Sequence, residues 1–195
     1  KTVQAIAILL TRVDEGPTLV VAPTSVGANW ARELERFAPS LRPVVYRETD
    51  RDTVLDSLTG NDVVIVSYDM ARIDAEKLHA KEWGTLVFDE AQQVKNGQTK
   101  TARALRDLNG RWRLALTGTP IENHLGDLWS LFRLISPGVF GSWELFKTKY
   151  ARPIERENNP KRREALAAVI RPFVLRRTNN EVLPDLPPRT AVHVE

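Results

Sequence analysis

Apolar residues in this chain fall alternately into short continuous runs and helically spaced sets. Thr18 to Val21, Pro43 to Tyr46, Asp62 to Val66, Thr85 to Phe88 and Arg113 to Leu116 are short runs rich in β-branched and aliphatic residues. Runs of that kind predict strands buried on both faces. Between them, Val3 to Leu10, Asn29 to Phe37, Asp69 to Ala80 and Thr99 to Leu108 read as helices, with Trp30, Leu34 and Phe37 in step on the second and Asn109-Gly110 closing the last. Strands alternating with helices of this length predict an α/β fold: a mostly parallel sheet, helices on both faces and right-handed crossovers. After Pro120 the pattern changes. Leu125 to Ile135, Trp143 to Tyr150 and Arg162 to Ile170 read as helices with no strand between them, punctuated by Pro137-Gly138 and the polar stretch Glu155 to Pro160. The expected organisation is a main unit over residues 1–138, a small helical subdomain over 139–178 packed on the sheet, and an extended linker over 179–195 that contains the proline-rich Leu183 to Arg189.

Composition narrows this modestly. The 195 residues suit one domain with an appendage, and 42% hydrophobic with 27% charged residues supports a real core. A net charge of +3 permits nucleic-acid binding without demanding it. With no cysteine, disulfides and thiolate metal sites are excluded, and His79, His124 and His193 lack ligand spacing for zinc. No apolar run approaches the roughly 18 residues of a membrane span, and no secretory signal is visible, so a soluble, cytoplasmic protein is expected.

The strongest chemical signal is Leu-Val-Phe-Asp-Glu-Ala-Gln at 86–92. A buried strand that ends in two acids presents them at the sheet edge, where open α/β folds bind metal and nucleotide. Asp89 is the candidate Mg²⁺ residue and Glu90 the candidate general base or water positioner; the plainer alternative is a solvated acidic turn. Lys1-Thr2 matches the last two letters of a phosphate loop G-x-x-x-x-G-K-[ST], in which the lysine reaches the β and γ phosphates of ATP and the hydroxyl ligates Mg²⁺. Alone, the dipeptide reads as an arbitrary boundary; the apolar helix that follows at once and the acids downstream raise the phosphate-loop reading. Without the loop glycines, whose N–H groups form most of the cradle, ATP binding by this stretch is expected to be poor. Thr117, Gly118 and Thr119, before Pro120, end the next strand; the hydroxyls flanking Gly118 are candidates to bond a neighbouring catalytic carboxylate and report nucleotide state, against an ordinary turn. Pro23, Thr24 and Ser25, and likewise Ser67 and Tyr68, also end strands; hydroxyls and backbone N–H groups in such stretches suit a nucleic-acid backbone, although each stretch alone is more often a helix cap. Lys95 adds charge nearby. Trp30, Trp129 and Trp143 sit among aliphatics and read as core.

In this order the pieces resemble the SWI/SNF-type helicase-like ATPases of superfamily two, over nearly the whole chain. Lys1 to Ile6 resembles the tail of motif I. Val21 to Ser25 with Asn29, Trp30 and Glu33 resembles motif Ia, and Ser67-Tyr68 motif Ic. Asp89 to Gln92 with Lys95-Asn96 resembles motif II. Leu116 to Asn123 resembles motif III, followed by Leu128-Trp129-Ser130-Leu131. Phe173 to Thr178 with Leu186-Pro187 resembles the signature closing the first lobe. The resemblance implies a RecA-like P-loop NTPase lobe with a small C-terminal helical insert, part of an ATP- and Mg²⁺-dependent motor that translocates on double-stranded DNA and remodels bound proteins, RNA polymerase being one candidate. It implies Ser25, Tyr68 and Lys95 as DNA-backbone contacts, with Gln92 coupling the acids to motif III. Gln92 replaces the family's more frequent histidine, which leans toward a prokaryotic, nucleoid-associated source; a eukaryotic one would imply the nucleus. A second RecA-like lobe with its arginine fingers is implied but lies outside this sequence, as does a strand before Lys1 expected beside the strand ending at Asp89. The fragment is therefore expected to be marginal in isolation, swapped with a neighbour or completed by a separately supplied remainder, and inactive by itself. A strand-separating RNA or DNA helicase lobe and a non-catalytic binding scaffold are the alternatives.

Overall fold

The structure, a computed structural model, describes residues 1–46, 51–94, 97, 99–119, 121 and 124–176. Lys95 and the 179–195 linker lie outside them. Five strands, β1 Thr18–Ala22, β2 Arg42–Val45, β3 Asp62–Ser67, β4 Trp83–Asp89 and β5 Gly110–Leu116, form one all-parallel sheet in the order β2-β3-β1-β4-β5. β1 and β4 are buried along their whole length, as their unbroken apolar runs require.

Period-two alternation sends successive residues to opposite faces. Val20, Ala22, Val63, Ile65 and Val87 pack on one face beneath Ala5, Ile6 and Leu9 of α1 (Thr2–Leu10) and Trp30 and Leu34 of α2 (Thr24–Phe37). Leu19, Val21, Val64, Val66, Leu86 and Phe88 pack on the other. That face is covered by α3 (Arg51–Asp56), α4 (Tyr68–Ile73), α5 (Ala75–Ala80) and α6 (Lys100–Arg106). This is the expected α/β lobe with helices on both faces.

Several elements differ from the sequence reading. α2 begins at Thr24 rather than Asn29, because its first turn is exposed and carries little apolar signal. The stretch expected as one helix over 69–80 breaks at Asp74, whose Oδ2 accepts from Arg51 Nη1 at 2.8 Å. β4 is flanked on both sides, by β1 and by β5. The expectation of a further strand beside β4 is therefore corrected: pairing order is set by crossovers, which local patterning does not encode.

Beyond β5, α7 (Leu125–Ile135) is shared. Leu131, Leu134 and Ile135 pack against the sheet core, while Leu128, Trp129 and Phe132 enter a second core with Phe140, Phe146, Tyr150 and Leu166. The rings of Phe132 and Phe140 lie 4.7 Å apart, and those of Phe140 and Phe146 4.9 Å apart. α8 (Trp143–Phe146), a π-helical turn (Lys147–Ala151), α9 (Arg152–Glu155) and α10 (Pro160–Ile170) complete this helical unit. Among the described residues, no helix is long and apolar enough to cross a membrane.

Candidate nucleotide and nucleic-acid site

Strand register lines up the sequence motifs. Ser67 pairs with Ala22, Val21 with Phe88, and Asp89 with Leu116. Ser67, Ala22, Asp89 and Leu116 therefore stand level across four adjacent strands at the carboxyl edge. The helices that follow β1 and β4 leave to opposite faces, since α2 packs with one core and α6 with the other. In open parallel sheets that divergence opens a crevice at the strand ends.

Asp89 is the last residue of β4 and is 6% exposed. Its Oδ2 accepts from Trp30 Nε1 at 2.8 Å, and its Oδ1 accepts from the Glu90 N–H at 2.9 Å. Its main-chain oxygen accepts from the Tyr68 hydroxyl at 2.8 Å. The carboxylate is thus held at both oxygens, and each oxygen keeps lone-pair capacity toward the crevice. Glu90 has φ +50°, a left-handed conformation that costs a non-glycine residue energy. The backbone turns sharply there into the 3-10 turn Ala91–Val94.

Gln92 joins the acids to motif III. Its Nε2 donates to Glu90 Oε2 at 2.5 Å, and its Oε1 accepts from Thr117 Oγ1 at 2.7 Å. Thr117 Oγ1 in turn accepts from the Thr119 N–H at 3.1 Å. The expectation that a Thr117 hydroxyl bonds a catalytic carboxylate directly is corrected: it reaches Glu90 through Gln92. Gly118 opens the same rim to Lys1, whose Nζ lies 3.5 Å from where a Gly118 Cβ would stand. Lys1 stands at the N-cap of α1, so the start of that helix lies beside Gly118, just past the Leu116 that pairs with Asp89.

The nucleic-acid candidates divide. Thr24 and Ser25 are exposed in the first turn of α2, behind Pro23 at its N-cap. Ser67 caps α4 and accepts from the Met70 N–H at 3.2 Å. Tyr68 is 7% exposed, with its hydroxyl turned inward. Its placement as a backbone contact to DNA is corrected, because the ring is core and the hydroxyl is occupied by Asp89. Burial first, and then the charges of Asp89 and Glu90, push the Tyr68 phenol well up, so it remains a donor. Trp30 is the functional residue that the sequence reading missed. It was expected as core, and it is fully buried, yet it also donates to Asp89.

The whole chain, residues 1–195, matches the model of the SNF2-related domain. The chain belongs to this family. The domain is 42% identical over 96% of its length to YwqA of Bacillus subtilis, named as a candidate ATP-dependent helicase/translocase. It is 38% identical over 89% of its length to the TATA-binding protein-associated factor MOT1 of Saccharomyces cerevisiae. It spans only 21% and 10% of those two relatives. The SWI2/SNF2 ATPase core of Sulfolobus solfataricus, solved in complex with double-stranded DNA, superposes with a TM-score of 0.84 at 42% identity, over 96% of this domain and 40% of that chain. The same archaeal core domain in a second structure gives a TM-score of 0.80. The five-stranded parallel sheet with its helices is thus the RecA-like lobe of a SWI2/SNF2 ATPase core.

Proposed function

We propose that this SNF2-related domain is the first lobe of an ATP-dependent translocase on double-stranded DNA, coupling ATP hydrolysis to movement along the duplex and so remodelling protein–DNA complexes. The observation that supports this reading is the level row Ser67, Ala22, Asp89 and Leu116, from which the two acids and the segments following β1, β3 and β5 all leave at one edge of the sheet.

In this reading, Lys1 and the first N–H groups of α1 take the β and γ phosphate oxygens, as helix N-termini do. Asp89 and the Thr2 hydroxyl would hold Mg²⁺, which when bound would neutralise charge on the transferred phosphoryl group. The donor set fits that ion. Asp89 offers one carboxylate held in place at both oxygens, and Mg²⁺ is ordinarily held by one or two carboxylates with phosphates and water. Glu90 orients the attacking water and accepts its proton. Gln92, Thr117 and Thr119 relay the state of Glu90 to the end of β5. Pro23, Thr24, Ser25 and Ser67, with Lys95 beyond the described residues, form the face that meets the duplex backbone. The DNA-bound archaeal core supports double-stranded DNA as the ligand. Backbone contacts carry no base information, so sequence preference is low.

The test is the ATPase rate of the full-length protein with and without DNA. Strong stimulation by duplex, with DNA affinity falling steeply as salt rises, is the expected result. Stimulation by single strands or RNA but not by duplex would replace this reading with a strand-separating helicase.

A further inference from the structure

Asp89 is held by two buried aromatic donors, and neither comes from its own loop. Trp30 lies 59 residues upstream and Tyr68 21 residues upstream. One takes the carboxylate, the other the main-chain oxygen of the same residue, each at 2.8 Å. Their helices are those that start at the proposed duplex face. Trp30 is on α2, behind the exposed Thr24 and Ser25, and Tyr68 opens α4, directly after Ser67.

We propose that Trp30 and Tyr68 are positioning residues that couple the two sites: through them, the seating of α2 and α4 on a duplex backbone sets the placement of Asp89 in the nucleotide site. This rests on the reading given above. Trp30 is buried in an apolar core cluster that includes Val20, Ala22, Leu34 and Val87. A phenyl ring would keep part of that packing and leave a small void; only the indole adds an N–H where Asp89 needs one. A buried carboxylate without a partner is costly, and hydrogen bonds weaken steeply with misalignment. A small displacement of either helix is therefore felt at Asp89 through a hydrogen bond as well as through packing. Close packing makes the helix and its donor move as one body. The two donors also grip different parts of the residue, so side-chain rotation cannot absorb a shift of both.

The coupling has a reciprocal signature: nucleotide must change duplex affinity by the same factor as duplex changes nucleotide affinity. In the full-length protein, anisotropy of a labelled duplex is measured with and without Mg²⁺ and a non-hydrolysable ATP analogue. The wild type is expected to show a ratio of duplex affinities in the range of about 5 to 150. In Trp30→Phe and in Tyr68→Phe that ratio falls toward one, while nucleotide-free duplex affinity stays within about twofold of wild type. Either variant keeping the wild-type ratio overturns the proposal. So does a lost ratio accompanied by an equal loss of nucleotide-free duplex affinity, which marks packing damage. If Trp30→Phe does not fold, Tyr68→Phe, which removes one oxygen, decides alone. A wild type that binds no duplex at all overturns the underlying reading instead, a result distinguishable from the variant outcomes.

Discussion

Thr117 donates its hydroxyl to Gln92 across 2.7 Å, tying the end of β5 to the turn that follows the two acids. Gln92 uses both ends of its amide, as acceptor toward Thr117 and donor toward Glu90. Thr117→Val keeps the shape and removes the link. The expected outcome in the full-length protein is a fall in duplex-stimulated kcat of about tenfold, with nucleotide affinity little changed, as for loss of one hydrogen bond to a charged network. Gln92→His retains a ring that can donate and accept, and should keep much more activity than Gln92→Leu. Steady-state ATPase assays with ATP titrations check both.

Glu90 combines a catalytic assignment with a backbone conformation that favours glycine. Glu90→Gln preserves size and removes the base, so turnover should drop about 10²–10⁴-fold with nucleotide binding intact. Glu90→Gly should also abolish turnover. By relieving the left-handed φ it should nevertheless melt no lower than wild type, despite losing the bond to Gln92. Thermal melts beside ATPase rates test this opposition; a large destabilisation on changing to glycine would show that the strained turn is not a cost borne for function.

Much of this architecture was legible because its signals are local. β1, β3 and β4 announce themselves by unbroken apolar runs, and Asp89-Glu90 by their abrupt end. What was not legible depends on partners far away in sequence. Trp30 looks like any core aromatic until its N–H meets an acid 59 residues on. Tyr68 sits beside a capping serine at a rim where a phosphate contact is natural, yet its ring turns inward. Asp74 breaks a helix that its neighbours favour, and its partner Arg51 belongs to another element. The strand order that puts β1 and β5 on either side of β4 is a property of crossovers, not of any one segment.

Arg113 on β5 fastens the far end of the lobe. Its guanidinium donates to the main-chain oxygens of Arg106 at 3.0 Å, Leu134 at 2.9 Å and Leu108 at 2.5 Å. These carbonyls close α6, lead into β5 and close α7, so one side chain satisfies groups that two helix ends leave open. Burial lowers its pKa against the opposing charge of Asp107, but arginine keeps its proton in proteins. Arg113→Met should cost about 2–4 kcal/mol, because it strips partners from several part-buried carbonyls. Arg113→Lys should recover only part of this, since an ammonium lacks the planar fork. Melting curves of the three proteins give the ranking.

Asp62 opens β3 fully buried, facing Arg42 at the start of β2, with Arg42 Nε donating to Oδ1 at 2.5 Å. The Thr59 N–H and hydroxyl donate to Oδ2 at 2.6 and 2.9 Å. Burial pushes this carboxyl up, but the bonds from Arg42 and Thr59 and the arginine charge together outweigh it, leaving it below the ordinary value of 3.8. A carboxyl depressed in the folded state contributes stability that is present above its unfolded pKa and is lost as pH falls through its folded pKa. The window therefore opens near pH 4 and extends below it. Asp62→Asn should lower stability at pH 7 and flatten the acid limb, so that the variant and wild type converge as pH drops below about 4. Denaturant titrations across that range decide it: parallel curves with a constant gap would mean that the charge of Asp62, as distinct from its hydrogen bonds, adds nothing at the amino-terminal edge of the sheet.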